Sequence, residues 1–303
     1  MNIIQSKKLT WIDIKDPKEN DIEELKKTFN LHPLVLKEIL PPLNHPKVEN
    51  FGKYLYIVLF YPFFEKKTNK TIPFELDIIV SKKYIITSYY KNIVPLKAIF
   101  DKCNLYEDEK EKYMDNGSEQ LLYIIIREIF KACFPKLDHI KQNVDEIEEK
   151  IYKKEYEKVV NQISLAKRDI IGFQRIIEPQ ELVLNNLTIE SAKIFNKKII
   201  PYFHSLVNLY NRVKNILNNH SKTLDALDST NESLLTNRTN EIIKLLTIFS
   251  VIVFPLTLMA SIFGMNTKYL PLVGNKYDFL IISGIMIIGV GIILAFFKTK
   301  KWI

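Results

Sequence analysis

Four hydroxyl side chains lie at helical spacing near the end of this chain: Thr247, Ser250, Thr257 and Ser261, separated by steps of three, seven and four. On a helix they fall within about 80° of one another, and Asn240, Ile243 and Phe254 lie on or beside the same arc. The rest of the segment is Ile, Leu, Val and Phe. Hydroxyls and carboxamides exchange hydrogen bonds but supply neither a nucleophile nor a fixed charge. Their chemistry here is solvation of a polar or hydrated species. One reading has each hydroxyl bonded back to its own helix or packed against another helix. The other has the stripe facing water, with Ile243, Leu246 and Phe254 as apolar collars, and the stripe's extent along the whole apolar segment favours it. Gly264-Met265-Asn266 follows directly. Extending the wheel backwards puts Asp225, Asp228 and Glu232 on the face of Asn240. Repeated around a symmetry axis they would form acidic rings that concentrate divalent cations; otherwise they are a solvated helix face.

The elements that position these residues are legible from hydropathy. Residues 242–263 and 279–297 are apolar runs, each long enough to cross about 30 Å of hydrocarbon. Lys244, near one end, is the charge they contain, and its stem lets the amine reach the interface. Two such runs in succession are unusual for the core of a soluble protein. Two helices cannot enclose a pore, so a water-lined stripe requires several copies, with the first span inside. The second span has no such stripe, and its Ser283, Gly284, Gly289 and Gly291 read as close-packing positions. Arg238, Lys244, Lys298, Lys300 and Lys301 mark one side of the membrane, which positive charge assigns to the cytoplasm. The connecting loop carries Lys268 and Lys276 as counterweights. The polar start MNIIQSKKLT, without a signal-peptide core, supports the same orientation. The expectation is a multi-pass protein of the cell (inner) membrane with both termini cytoplasmic.

Upstream, a helical pattern begins near Pro201 and continues into the first span, a rise of about 95 Å at 1.5 Å per residue. That length suits a stalk. Residues 118–184 carry apolar residues at spacings of three and four, and a break is expected around 185–191. The first 117 residues read as mixed α/β. KENDIEELKKTFN and HPLVLKEIL read as helices, and YLYIVLFYPFF, ELDIIVS and KYIITSYY as strands, the first two joined at KKTNKT. The fold class is therefore α+β, divided as 1–117 (cytoplasmic α/β domain), 118–240 (helical region with the stalk) and 241–303 (transmembrane domain).

Composition excludes other classes. The formal charge is +8, yet lysines are interleaved with acids and no nucleic-acid signature is present, so no nucleic-acid partner is expected. Cys103 and Cys133 fit a reducing compartment. The five His, at 32, 45, 139, 204 and 220, lack paired zinc spacing. There is no phosphate loop or nucleophile elbow, so an enzyme is not expected.

With these residues in view, the chain resembles the CorA family of magnesium (and cobalt) channels. The resemblance rests on Gly264-Met265-Asn266 after the first span, Pro255-Leu256-Thr257 within it, Asn240 upstream and the basic end KTKKWI. The pieces WIDIKDP, LHPLVLKEIL and PKVENFGKYLYIVLF extend it over nearly the whole chain. The resemblance implies a homopentamer in the lipid bilayer, with the first span lining the pore and Gly264, Met265 and Asn266 as selectivity filter. A ring of Asn266 carboxamides and Gly264 carbonyls would meet the ion, Met265 would set packing, and Asn240 would be a second hydrated-ion position. It implies Mg2+ as the transported ion, with Co2+ or Ni2+ as further cargo, and Mg2+ as regulator on the cytoplasmic side. The regulatory ligands do not map onto clear positions; Asp77 and the stalk acids are candidates. A zinc-transporting relative and a non-conducting membrane-anchored sensor or scaffold are the alternative readings.

Overall fold

The computed structural model describes residues 1–40, 42–43, 45–65, 68, 70–267, 270, 272–274 and 276–302. The chain divides into two compact units, Met1–Asp228 and Ser229–Ile303.

The first unit is built on a six-stranded sheet of order β1-β2-β6-β5-β4-β3. The strands are β1 (Asn2–Gln5), β2 (Thr10–Lys15), β3 (Lys47–Asn50), β4 (Tyr54–Glu65), β5 (Lys70–Ser81) and β6 (Tyr84–Tyr89). β2 and β6 run parallel and every other pair is antiparallel. Positions 54–62 of β4 are buried without alternation, because helices cover both faces of the sheet. One face carries Tyr54, Tyr56, Val58, Phe60, Ile79 and Ile86 against α1 (Glu19–Thr28) and α2 (Pro33–Glu38), which supply Leu25, Val35 and Leu36. Near the sheet edge Trp11 sets its ring edge-on against Phe100, centroids 5.0 Å apart, in α3 (Val94–Leu105).

Helices α4 (Glu107–Met114), α5 (Ser118–Lys131), α6 (Phe134–Tyr152), α7 (Tyr156–Ile177) and α8 (Gln180–Ile194) follow. Gly172 lets α7 pass close over β5, since a Cβ there would sit 3.2 Å from the Thr71 carbonyl oxygen. Gln180 fixes the start of α8 by accepting from the Phe60 N–H (3.2 Å) and donating to the Phe60 and Ile176 carbonyls (2.9 and 2.8 Å).

The expected break at 185–191 is incorrect: α8 runs through it. Asn185, Asn186, Thr188 and Ser191 suggest a loop because such side chains compete for backbone hydrogen bonds. Here Thr188 and Ser191 spend their hydroxyls along the helix, on the Leu184 and Thr188 carbonyls (3.0 and 3.2 Å). Val183, Leu184 and Leu187 share their buried face, so both hydroxyls are satisfied out of water. The true interruption is at Phe195–Asn196, where Asn196 caps the 3-10 turn Lys197–Ile199 by accepting from the Lys198 N–H at 3.1 Å.

From there α9 (Ile200–Phe263) is a single helix of 64 residues that passes the boundary between the units without interruption and retains Pro255 inside it. The second unit is completed by α10 (Asp278–Thr299). Both helices are long and apolar enough to cross a membrane. Strands β1, β2 and β3 and helices α3 and α4 have no counterpart in the sequence reading. The expected turn between β4 and β5 falls on residues of which 66, 67 and 69 lie outside the described set.

Candidate functional site

In the second unit the apolar stretches of both helices are mostly uncovered within the chain, Ile248 and Phe297 excepted. Phe254 is 74% exposed, and Ile243 and Leu246 are exposed as well. Such a surface is stable only when lipid or other protein covers it.

On α9 the hydroxyls of Thr247, Ser250 and Thr257 donate to the carbonyls of Ile243, Leu246 and Val253 at 2.8, 2.9 and 2.9 Å. The back-bonded geometry is thus present at three of the four stripe positions. It has a chemical consequence. A hydroxyl whose hydrogen is committed to its own helix offers only oxygen lone pairs outward. The stripe is a row of acceptors.

The helix ends where its geometry demands glycine. The Gly264 N–H donates to the Ala260 carbonyl at 2.9 Å, and a Cβ at position 264 would lie 2.9 Å from that same oxygen. The Met265 N–H reaches the Ile262 carbonyl at 3.3 Å and the Thr267 N–H the Met265 carbonyl at 3.0 Å. Asn266 follows the helix end, exposed, as is Met265. Lys268, expected in the adjoining loop, lies outside the described residues.

Asp225 and Asp228, expected to share a face with Asn240, are both held by Lys167 of α7, at 3.0 and 2.6 Å. Both are thus directed toward α7 of the same chain, and their charge is partly compensated there. The sequence reading lacked this cation, because the pairing joins positions 61 residues apart in the chain. Glu232 and Asn240 are exposed.

Asp77 is 1% exposed in the core of the sheet and accepts from the Tyr56 hydroxyl at 2.8 Å; its second oxygen, Oδ2, has no partner. Glu75, two residues earlier on the same face, accepts from the Leu43 N–H at 2.7 Å and likewise leaves Oε2 unpartnered. Burial pushes the Asp77 carboxyl well above the usual carboxylate range and Glu75 up to about 7. A group held protonated by burial is a poor ligand for a hard dication. Among the described residues no three His, Cys, Asp or Glu side chains converge within this chain to hold a metal.

The comparisons with known proteins agree with this architecture. The family model for CorA-like Mg2+ transporter proteins matches residues 6–300. The cobalt/magnesium transport protein CorA of Thermotoga maritima is 27% identical over 300 residues, covering 97% of this chain and 83% of that protein. That of Methanocaldococcus jannaschii is 25% identical, covering 98% and 92%. The complete structure of the M. jannaschii CorA magnesium transporter superimposes with a TM-score of 0.83 at 23% identity, over 100% of this chain and 95% of that one. A mixed-sheet N-terminal unit, one long helix and two apolar helices at the C-terminal end are thus a shared fold. The chain belongs to the CorA-like Mg2+ transporter family.

Proposed function

We propose that five copies of this chain surround an axis with α9 inside and α10 outside, and conduct hydrated Mg2+, together with Co2+ or Ni2+, through the path so formed. The observation that carries this reading is the uncharged acceptor stripe on an otherwise apolar, uncovered helix, ending at Gly264-Met265-Asn266. Mg2+ gives up its octahedral water shell reluctantly. A hydrated ion presents water hydrogens outward, so the wall it prefers is one of acceptors. Thr247, Ser250, Thr257 and Ser261 would supply them along the span, and Asn240 at the stalk end. The Asn266 carboxamides and Gly264 carbonyls would receive the ion at the other end, with Met265 setting their spacing. Ile243, Leu246 and Phe254 would be dry constrictions able to gate by dewetting. The protein sits in the cell (inner) membrane with both termini cytoplasmic, which the cluster Lys298, Lys300 and Lys301 supports.

Cytoplasmic Mg2+ closes the channel in this reading. A regulatory site would draw carboxylates from more than one copy, since the described residues of one chain bring no three together. The division into 1–117, 118–240 and 241–303 describes the same assignment: sensor, stalk and path.

The test is flux. Purified protein in liposomes should carry Mg2+ inward under an inside-negative potential, and Asn266→Ala should reduce the rate at least about tenfold, the loss expected when a bound ion's hydrogen-bonding ring is removed. Unchanged flux in the variant overturns the filter assignment. Zinc flux without Mg2+ flux overturns the choice of cargo. Millimolar Mg2+ on the cytoplasmic side should protect the first unit from proteolysis, and absence of protection overturns the regulatory part.

A further inference from the structure

The end of α10 folds back on itself beside α9. The Trp302 N–H donates to the Phe297 carbonyl at 3.0 Å and the Lys301 N–H to the Lys298 carbonyl at 3.1 Å. These are the two bonds of a Schellman cap, and its left-handed position is held by Lys301, with φ of 55°. Glycine adopts that conformation without steric cost, whereas a side chain does not. The cap turns Trp302 back to stack on Phe297, centroids 5.6 Å apart and planes 23° apart. Lys244 of α9 brings its amine to 5.8 Å from the same indole ring.

Four ammonium groups, those of Lys244, Lys298, Lys300 and Lys301, therefore share one end of the two spans with a folded-back indole. Among the described residues no carboxylate lies within 4.0 Å of any of them. Favourable charge at a helix C-terminus accounts for Lys298 and Lys300. The same cap closes α6 on Lys154, with φ of 64°, so what distinguishes the end of α10 is the indole that its cap folds back beside the amine of Lys244.

We infer that Lys244, Lys298, Lys300, Lys301 and Trp302 form a binding site for the phosphate of an anionic phospholipid headgroup. The ammonium groups complement the phosphodiester, the indole sits at headgroup level, and the exposed Phe296 ring continues toward the acyl region. Each lysine near such a surface contributes about fivefold to association. The site depends on the spans lying in a bilayer and not on the conduction path, so a failed flux assay leaves it standing.

The experiment uses the full chain in nanodiscs of zwitterionic phosphatidylcholine doped with brominated phosphatidylglycerol or, at equal mole fraction, brominated phosphatidylcholine. Tryptophan emission is read. The other tryptophan, Trp11, is fully buried in the first unit with its indole N–H on Thr87, and gives a constant background. Phosphatidylglycerol should quench at a severalfold lower mole fraction, and the triple variant Lys298→Gln, Lys300→Gln, Lys301→Gln should lose that preference. Lys301→Gly is the decisive variant: its thermal midpoint should be unchanged or raised while the preference falls about fivefold. Lys301→Arg should keep it. Equal quenching by the two lipids in the wild type overturns the proposal, as does an undiminished preference in Lys301→Gly. Abolition of the preference by millimolar inorganic phosphate at constant ionic strength overturns the lipid assignment in favour of a free-phosphate site.

Discussion

The two units of this chain treat their apolar surface in opposite ways. Met1–Asp228 buries its own: the middle of β4 is covered on both faces, and Trp11 and Tyr56 are fully enclosed. Ser229–Ile303 leaves its most apolar windows uncovered within the chain. The first unit thus carries its stability in its own core, and the second leaves apolar surface for a bilayer to cover. Polar groups follow the same division. In the sheet Asp13 is buried with both oxygens satisfied, by the Thr87 and Tyr89 hydroxyls at 2.6 and 2.9 Å. Along α9 the hydroxyls satisfy themselves on their own helix and leave their lone pairs outward.

The comparison breaks most visibly at Trp11. Trp11→Ala should cost about 3–5 kcal/mol, read as a lowered midpoint of the first unit's transition in a thermal melt of the full-length protein. A loss below 1 kcal/mol would deny that unit a self-sufficient core. Gly264→Ala should cost about 1–3 kcal/mol in the second unit, because the added methyl meets the Ala260 carbonyl, and should impair flux alongside.

Glu75 sharpens the difference through pH. Burial raises its folded-state value to about 7, above the ordinary range of about 4.3, so the native state holds a proton that the unfolded state releases. Stability from this group is full below about pH 4 and is lost as pH rises through about 7. Glu75→Gln keeps an acceptor for the Leu43 N–H. It should flatten that slope, leaving the melt unchanged at pH 4 and raising it at pH 8. Lys167→Met should cost less, about 0.5 kcal/mol, because its two ion pairs are partly exposed; a loss above 2 kcal/mol would make the clamp on α9 a principal support. Phe254→Ala should change the melt least, within about 0.5 kcal/mol, since the ring touches little of its own chain, while altering flux if the residue is a collar in the path.

Legibility in the sequence followed the same division. The spans were readable to within two residues of α9's end and α10's limits because long apolar runs have few alternative meanings. β4, β5 and β6 were readable from β-branched and aromatic runs. β1 and β2 were not, since both are short and their burial comes from the non-local parallel pairing of Thr10–Lys15 with Tyr84–Tyr89. α8 was obscured by its Asn, Thr and Ser residues, whose hydroxyls turn inward only once the helix packs on β3 and β4. In the candidate site, the motif and the stripe were legible as residue types at fixed spacing. The direction of each hydroxyl hydrogen, the Lys167 clamp and the cap at Lys301 were not, because they depend on rotamers and on partners distant in the chain.

The stripe from Asn240 through Ser261 to Asn266 contains no group that gains or loses a proton anywhere in the physiological range. A wall built from it keeps one electrostatic character whether the bathing medium is acidic or alkaline. Acidification therefore has no lever inside the proposed path.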